Sequence, residues 1–173
     1  KFDKKLRLLI FNEIEKIEIA IRSSIVSNAC ELFNDPYWIT DSKYFMSPDK
    51  FQKTLSLIDK ELKHSKEDFI IHFRSKYSET YPPAWILAEI LSLGTLMNVY
   101  NNLRDITVQK KIGKEFGLQV KPFESWMSIV TLTRNACCHH SRVWNKQNTM
   151  LATEPKHITR SWIKLPTDRL RIY

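Results

Sequence analysis

Glycine is nearly absent, with three in 173 residues, which disfavours tight hairpins and the Gly-rich loops that cradle nucleotide phosphates. Cysteine is as scarce. Cys30, Cys137 and Cys138 are an odd set with two members adjacent, which is not a disulfide framework and points to a reducing, cytoplasmic setting. No apolar run approaches the ~20 residues that cross a bilayer, and there is no signal peptide, so no membrane partner is expected. There is no internal repeat and no low-complexity tract. The chain lacks an initiating Met and begins inside a helical pattern, which predicts a fragment of a longer polypeptide.

What is present describes an ordered globular protein: 43% hydrophobic residues and five Trp. The length suits one compact domain over residues 1–173. The formal charge of +8 is uneven: residues 134–173 hold 8 Lys/Arg against 2 Asp/Glu, a net of +6, and residues 1–133 hold 19 against 17, a net of +2. A basic excess gathered in one region is the footprint of a polyanion partner or of a solvated basic tail.

Helical periodicity dominates. Apolar residues at Phe2, Leu6, Leu9, Ile10, Ile14, Ile17, Ile21, Ile25, Ala29 and Leu32 recur at gaps of three and four, predicting one helix over 2–32. Asn34-Asp35-Pro36 ends it, and Tyr37, Trp38, Tyr44 and Phe45 form an aromatic loop over the core. Ser47-Pro48-Asp49 is an N-cap, a Pro in the first turn and a first-turn acid, opening a helix over 48–64. A helix over 66–77, a break at Pro82-Pro83 and a strongly apolar central helix over 84–103 follow. In that central helix Gly94 predicts close approach of a neighbouring helix, and its one acid, Glu89, is either exposed or paired with Arg22 or Arg134. Asp105–Phe116 reads as a helix stopped by Gly117, Pro122 as the opening of the next, and residues beyond Asn145 as an irregular basic tail leading to a final helix that starts at Thr167-Asp168-Arg169-Leu170.

Chemistry crowds into Arg134-Asn135-Ala136-Cys137-Cys138-His139-His140-Ser141-Arg142-Val143-Trp144-Asn145, directly after an apolar helical segment. Adjacent helical side chains diverge by about 100°, so Cys137, Cys138, His139 and His140 do not converge on one zinc ion. No metal and no other cofactor is expected. A thiol nucleophile lacks an activating elbow. An Arg, a His and an amide do suit a phosphodiester. Asn135 and His139, four residues apart, share a helix face, whereas Arg134 and His139 lie about 140° apart on an ideal helix. Asn135 is thus placed to orient the imidazole, and Arg134 to act across an interface, which makes a two-fold homodimer attractive.

Histidine exchanges protons near neutrality, and Arg presents a bidentate fork to phosphate oxygens. Together they suffice to cleave RNA through its 2′-OH, leaving a 2′,3′-cyclic phosphate and a 5′-OH; DNA is inert to this route. Arg142, Asn145, Lys146 and Arg22 are candidate RNA contacts. Trp144 and Glu89 are supporting residues.

At these residues the chain resembles a known family. Arg134-Asn135-x3-His139 is similar to the Arg-polar-x3-His signature of HEPN-domain ribonucleases, and the longer string through Asn145 resembles Abi-like abortive-infection proteins of the AbiD/AbiF type. Supporting blocks are Leu6-Arg7, Glu18 through Ser23, Pro82 through Gly94, and Ser125-Trp126. The resemblance implies an all-α HEPN-like helical bundle, here missing flanking segments at both ends, a role in phage defence or toxin-antitoxin biology, dimerisation, and RNA as substrate or partner. It assigns phosphate binding to Arg134, acid/base work to His139 and support to Asn135. His140 also fits the wider family spacing, so His139 and His140 both stand as the acid/base. A non-catalytic module holding a structured small RNA, and a protein-interaction domain regulating another toxin, are the rival readings.

Overall fold

The computed structural model describes residues 1–156, and the helix expected at Thr167-Asp168-Arg169-Leu170 lies outside them. The described residues are all-α: α1 (Phe2–Phe33), α2 (Pro48–His64), α3 (Asp68–Lys76), α4 (Ala84–Ile90), α5 (Leu93–Asn101), α6 (Ile106–Glu115) and α7 (Val120–Cys138). Two short 3-10 turns, Trp38–Thr40 and Ser42–Tyr44, join α1 to α2. The described residues divide into two compact units, one of residues 1–20 with 113–156, the other of residues 21–112.

The helix ends follow local chemistry. α1 stops where Asn34 takes a left-handed φ of 47°, the conformation that Asn tolerates at a C-terminus. α2 opens as expected, with the Ser47 side chain accepting from the Lys50 N–H and Pro48 in the first turn. α6 closes at Gly117, φ 71°, with the Leu118 N–H on the Gly113 carbonyl at 2.9 Å. α7 begins two residues before Pro122; a Pro in the first turn removes only an N–H that has no helical partner.

In the 21–112 unit the core gathers Ile21, Ile25 and Ala29 from α1 with Trp38, Ile58, Leu87, Leu96 and Tyr100, all at most 1% exposed. α2 packs against α4 and α5. In the other unit Ala136, Cys137 and Val143 pack with Ile10 and Phe11. The apolar face predicted for α1 is narrower than drawn. Leu9 is 70% exposed and Phe2 61%, because Leu9 lies about 100° behind Ile10 on the helix.

The expected central helix over 84–103 is two helices, broken at Leu91-Ser92. Apolar periodicity runs through the break; Ser92 caps α5 there, its hydroxyl accepting from the Thr95 N–H at 3.2 Å, and charges from elsewhere in the chain complete it. Arg22 donates to the Leu91 carbonyl at 2.9 Å, a cation at the C-terminal end of α4. Glu61 of α2 accepts from the Ser92 N–H at 2.6 Å and the Thr95 hydroxyl at 2.5 Å, a carboxylate at the N-terminus of α5. Both charges complement the helix dipoles. Gly94 therefore sits in a first turn, where an added Cβ meets nothing within 4 Å, whereas at Gly113 it would lie 2.7 Å from the Leu118 carbonyl. The close-approach glycine is Gly113. Replacing Glu61 by Ala removes the carboxylate that accepts from the Ser92 N–H and the buried Thr95 hydroxyl and is expected to cost about 1–2 kcal/mol. The measurement is a lower urea midpoint at unchanged slope.

Candidate functional site

α7 carries the polar patch to its C-terminal end and then stops within it. Cys138 is the last helical residue and His139 the C-cap, φ −86° and ψ 12°. His140 is left-handed at φ 55°. The Ser141 N–H reaches the Ala136 carbonyl at 2.9 Å and the His140 N–H the Cys137 carbonyl at 3.2 Å, the paired bonds of a Schellman closure. His140 thus occupies the place usually given to glycine. His139 still donates its backbone N–H to the Asn135 carbonyl at 2.9 Å, although it lies beyond the helix proper.

Burial separates the patch into two sides. Ala136 and Cys137 face the core, while Asn135, Cys138, His139 and His140 are exposed. Burial also pushes the Cys137 thiol up, away from the thiolate form that nucleophilic chemistry needs. Arg134 turns toward α1. Its Nε lies 3.5 Å from Glu18 Oε2, with the Arg134 side chain 30% exposed. That Nε is buried and makes no hydrogen bond, so the contact is an ion pair without hydrogen-bond alignment.

After His140 the chain is tied down by the first turns of α1. Asp3 Oδ1 accepts from the backbone N–H groups of Val143, at 3.0 Å, and Trp144, at 2.8 Å. Its Oδ2 pairs with Arg7, and Arg7 Nη1 donates to the Ser141 carbonyl at 3.0 Å. Trp144 sets its ring edge-on to Phe2, centroids 5.2 Å apart, and remains 44% exposed. It fixes the loop from the surface. Asn145, φ 50°, lies in a turn closed by the Lys146 N–H on the Val143 carbonyl at 3.1 Å. Arg142, Asn145 and Lys146 are exposed.

Two expected contributors belong to the 21–112 unit. Arg22 is engaged by the Leu91 carbonyl. Glu89 is exposed and lines an open cleft with Glu61 and His64. The carboxylate beside Arg134 is Glu18. Asp3 and Arg7 escaped sequence reasoning. An i,i+4 acid and base have the spacing of an ordinary helix-surface pair, and their backbone targets lie more than 130 positions away.

The N–H of Trp144, aided by that of Val143 and by the Arg7 and Arg142 charges, holds the Asp3 carboxyl below its ordinary value. A carboxyl depressed in the folded state stabilises above its unfolded pKa, ~3.9, and that contribution is lost as pH falls through the lower folded value. The Val143 and Trp144 amide resonances are accordingly expected to titrate with a midpoint below ~3.9; a midpoint at or above it would contradict the clamp.

Among the described residues no group of three or more His, Cys, Asp or Glu is arranged to hold a metal ion, and no helix is long and apolar enough to cross a membrane. No curated protein and no solved structure matches the chain significantly. One family model does match, described as Abi-like protein, over residues 1–145, from the Asp3–Arg7 turn of α1 through the whole polar patch. By that match the chain belongs to the Abi-like protein family.

Proposed function

We propose that this chain acts on RNA in an abortive-infection defence role, cleaving it without a metal to leave 2′,3′-cyclic phosphate and 5′-OH ends. Family membership supports the defence role. The observation that carries the chemistry is the exposed His139 imidazole at the end of α7, five positions after the partly exposed Arg134 guanidinium and followed by exposed Arg142 and Lys146. A neutral imidazole takes the 2′-OH proton, the 2′-oxygen attacks phosphorus, and the 5′-oxygen leaves with a proton from an imidazolium. Arg134, leaving Glu18 for the phosphate, neutralises charge on the non-bridging oxygens. Asn135, on the same face as His139, steadies the ring. DNA has no 2′-OH and is not a substrate.

Arg134 turns toward α1 while His139 sits past the helix end, so a second copy related by a two-fold axis supplies the complementary half of the cleft. The protein works in the cytoplasm, where its three cysteines stay reduced.

The deciding experiment incubates the protein with labelled RNA in chelator, beside His139→Ala and Arg134→Ala. Cyclic-phosphate ends from the unmodified protein alone are expected. If none form and both variants lose RNA affinity, the protein is an RNA-holding module. RNA neither cut nor bound at low salt, where phosphate contacts are strongest, defeats both. Light scattering is expected to give a dimer, and an active strict monomer rejects the shared cleft.

A further inference from the structure

The loop that follows the paired histidines is held by one side-chain unit on α1. Successive N–H groups of Val143 and Trp144 converge on a single oxygen of Asp3, at 3.0 and 2.8 Å. The other oxygen engages Arg7, whose guanidinium continues to the Ser141 carbonyl at 3.0 Å. Asp3 and Arg7 thus grip three backbone groups within four residues. His140 adopts a left-handed φ of 55°, which costs a non-glycine residue roughly 1–2 kcal/mol and persists only where the surroundings over-determine it. The grip begins at the very next residue.

From this arrangement we infer that Asp3 and Arg7 are positioning residues for the polar patch, fixing the 141–144 loop and through it the direction in which His139, His140 and Arg142 face their ligand. The inference rests on the RNA-cleaving reading for its effect on turnover, and on the protein alone for its geometry. The elements facing this carboxylate supply the Arg7 and Arg142 charges; Cys137 is the nearby thiol. Phe2 against Trp144 adds an apolar contact beside the clamp, so removing the carboxylate loosens the loop without detaching it.

The test compares the unmodified protein with Asp3→Asn, Arg7→Gln and the double variant. Nuclear magnetic resonance of the histidine rings and amide exchange at Val143 and Trp144 are read beside RNA cleavage. Asp3→Asn is expected to lower amide protection at those two positions by roughly tenfold and to shift the His139 and His140 ring resonances. Turnover is expected to fall by about 10–100-fold, with RNA affinity changed less than about threefold. Two residues acting through one loop are not additive, so the double variant is expected to be no worse than the poorer single one. Unchanged ring resonances overturn the inference, as does unchanged turnover once protection is lost. A general loss of folding would lower protection along the whole of α1 and α7; confinement to the loop supports positioning, and loss throughout in both single variants refutes it. If the unmodified protein cuts no RNA, the cleavage reading falls and the clamp stands or falls on ring resonances and exchange.

Discussion

Alanine at His139 is expected to lower RNA cleavage by roughly 10²–10⁴-fold, the range for loss of a positioned proton-transfer group, with little change in RNA affinity. In the proposed reaction the imidazole moves protons and contributes little to holding the RNA backbone. Arg134→Ala behaves differently. It removes the cation proposed to meet the phosphate in both ground and transition states, so cleavage is expected to fall by roughly 10²–10³-fold and the salt dependence of binding to single-stranded RNA to weaken by about 0.7 in slope. Measuring kcat and Kd for both variants across salt separates these roles. Equal losses of affinity, with cleavage no lower than affinity predicts, would remove the catalytic assignment.

His140 is distinguished from His139 by its backbone. His140→Gly keeps the left-handed closure of α7 and removes only the ring. Full activity in His140→Gly assigns acid/base work to His139; inactivity there with activity in His139→Ala reverses the assignment.

Trp38→Ala is expected to give the largest loss of stability, about 3–5 kcal/mol. Trp38 is fully buried between Phe33, centroid 5.9 Å away, and Phe45, 6.4 Å away, and Phe45 continues to Phe51 at 4.9 Å. Truncation leaves a cavity that rigid ring neighbours do not collapse to fill. Chemical denaturation reads the effect directly. A loss under about 1 kcal/mol would mean that the segment between α1 and α2 is dispensable to the core of its unit.

The helices that were legible in the sequence are those whose limits are set by nearby residues. Ser47, Asn34 and Gly117 act within a turn of the helix they end, so α2 and the ends of α1 and α6 follow from spacing alone. The buried aromatic loop was legible for a similar reason: Trp38 and Phe45 have few places to go but the core. The clustering of Arg134, Asn135, His139 and His140 at the end of one helix was equally plain, because chain proximity guarantees it.

Three features required groups distant in the chain to meet. The break at Leu91-Ser92, capped locally by Ser92, also brings Arg22 and Glu61 to opposite sides of it, where charges satisfy backbone groups that apolar periodicity ignores. Glu18 stands beside Arg134 because α1 and α7 pack in one unit, a meeting of groups more than a hundred positions apart. The patch itself was visible as composition, whereas its direction depends on Asp3 and Arg7 gripping the Ser141, Val143 and Trp144 backbone. A residue pattern records which side chains neighbour one another along a helix. It carries no record of which distant backbone N–H a carboxylate will accept, since every N–H is alike until folding brings one within about 3 Å.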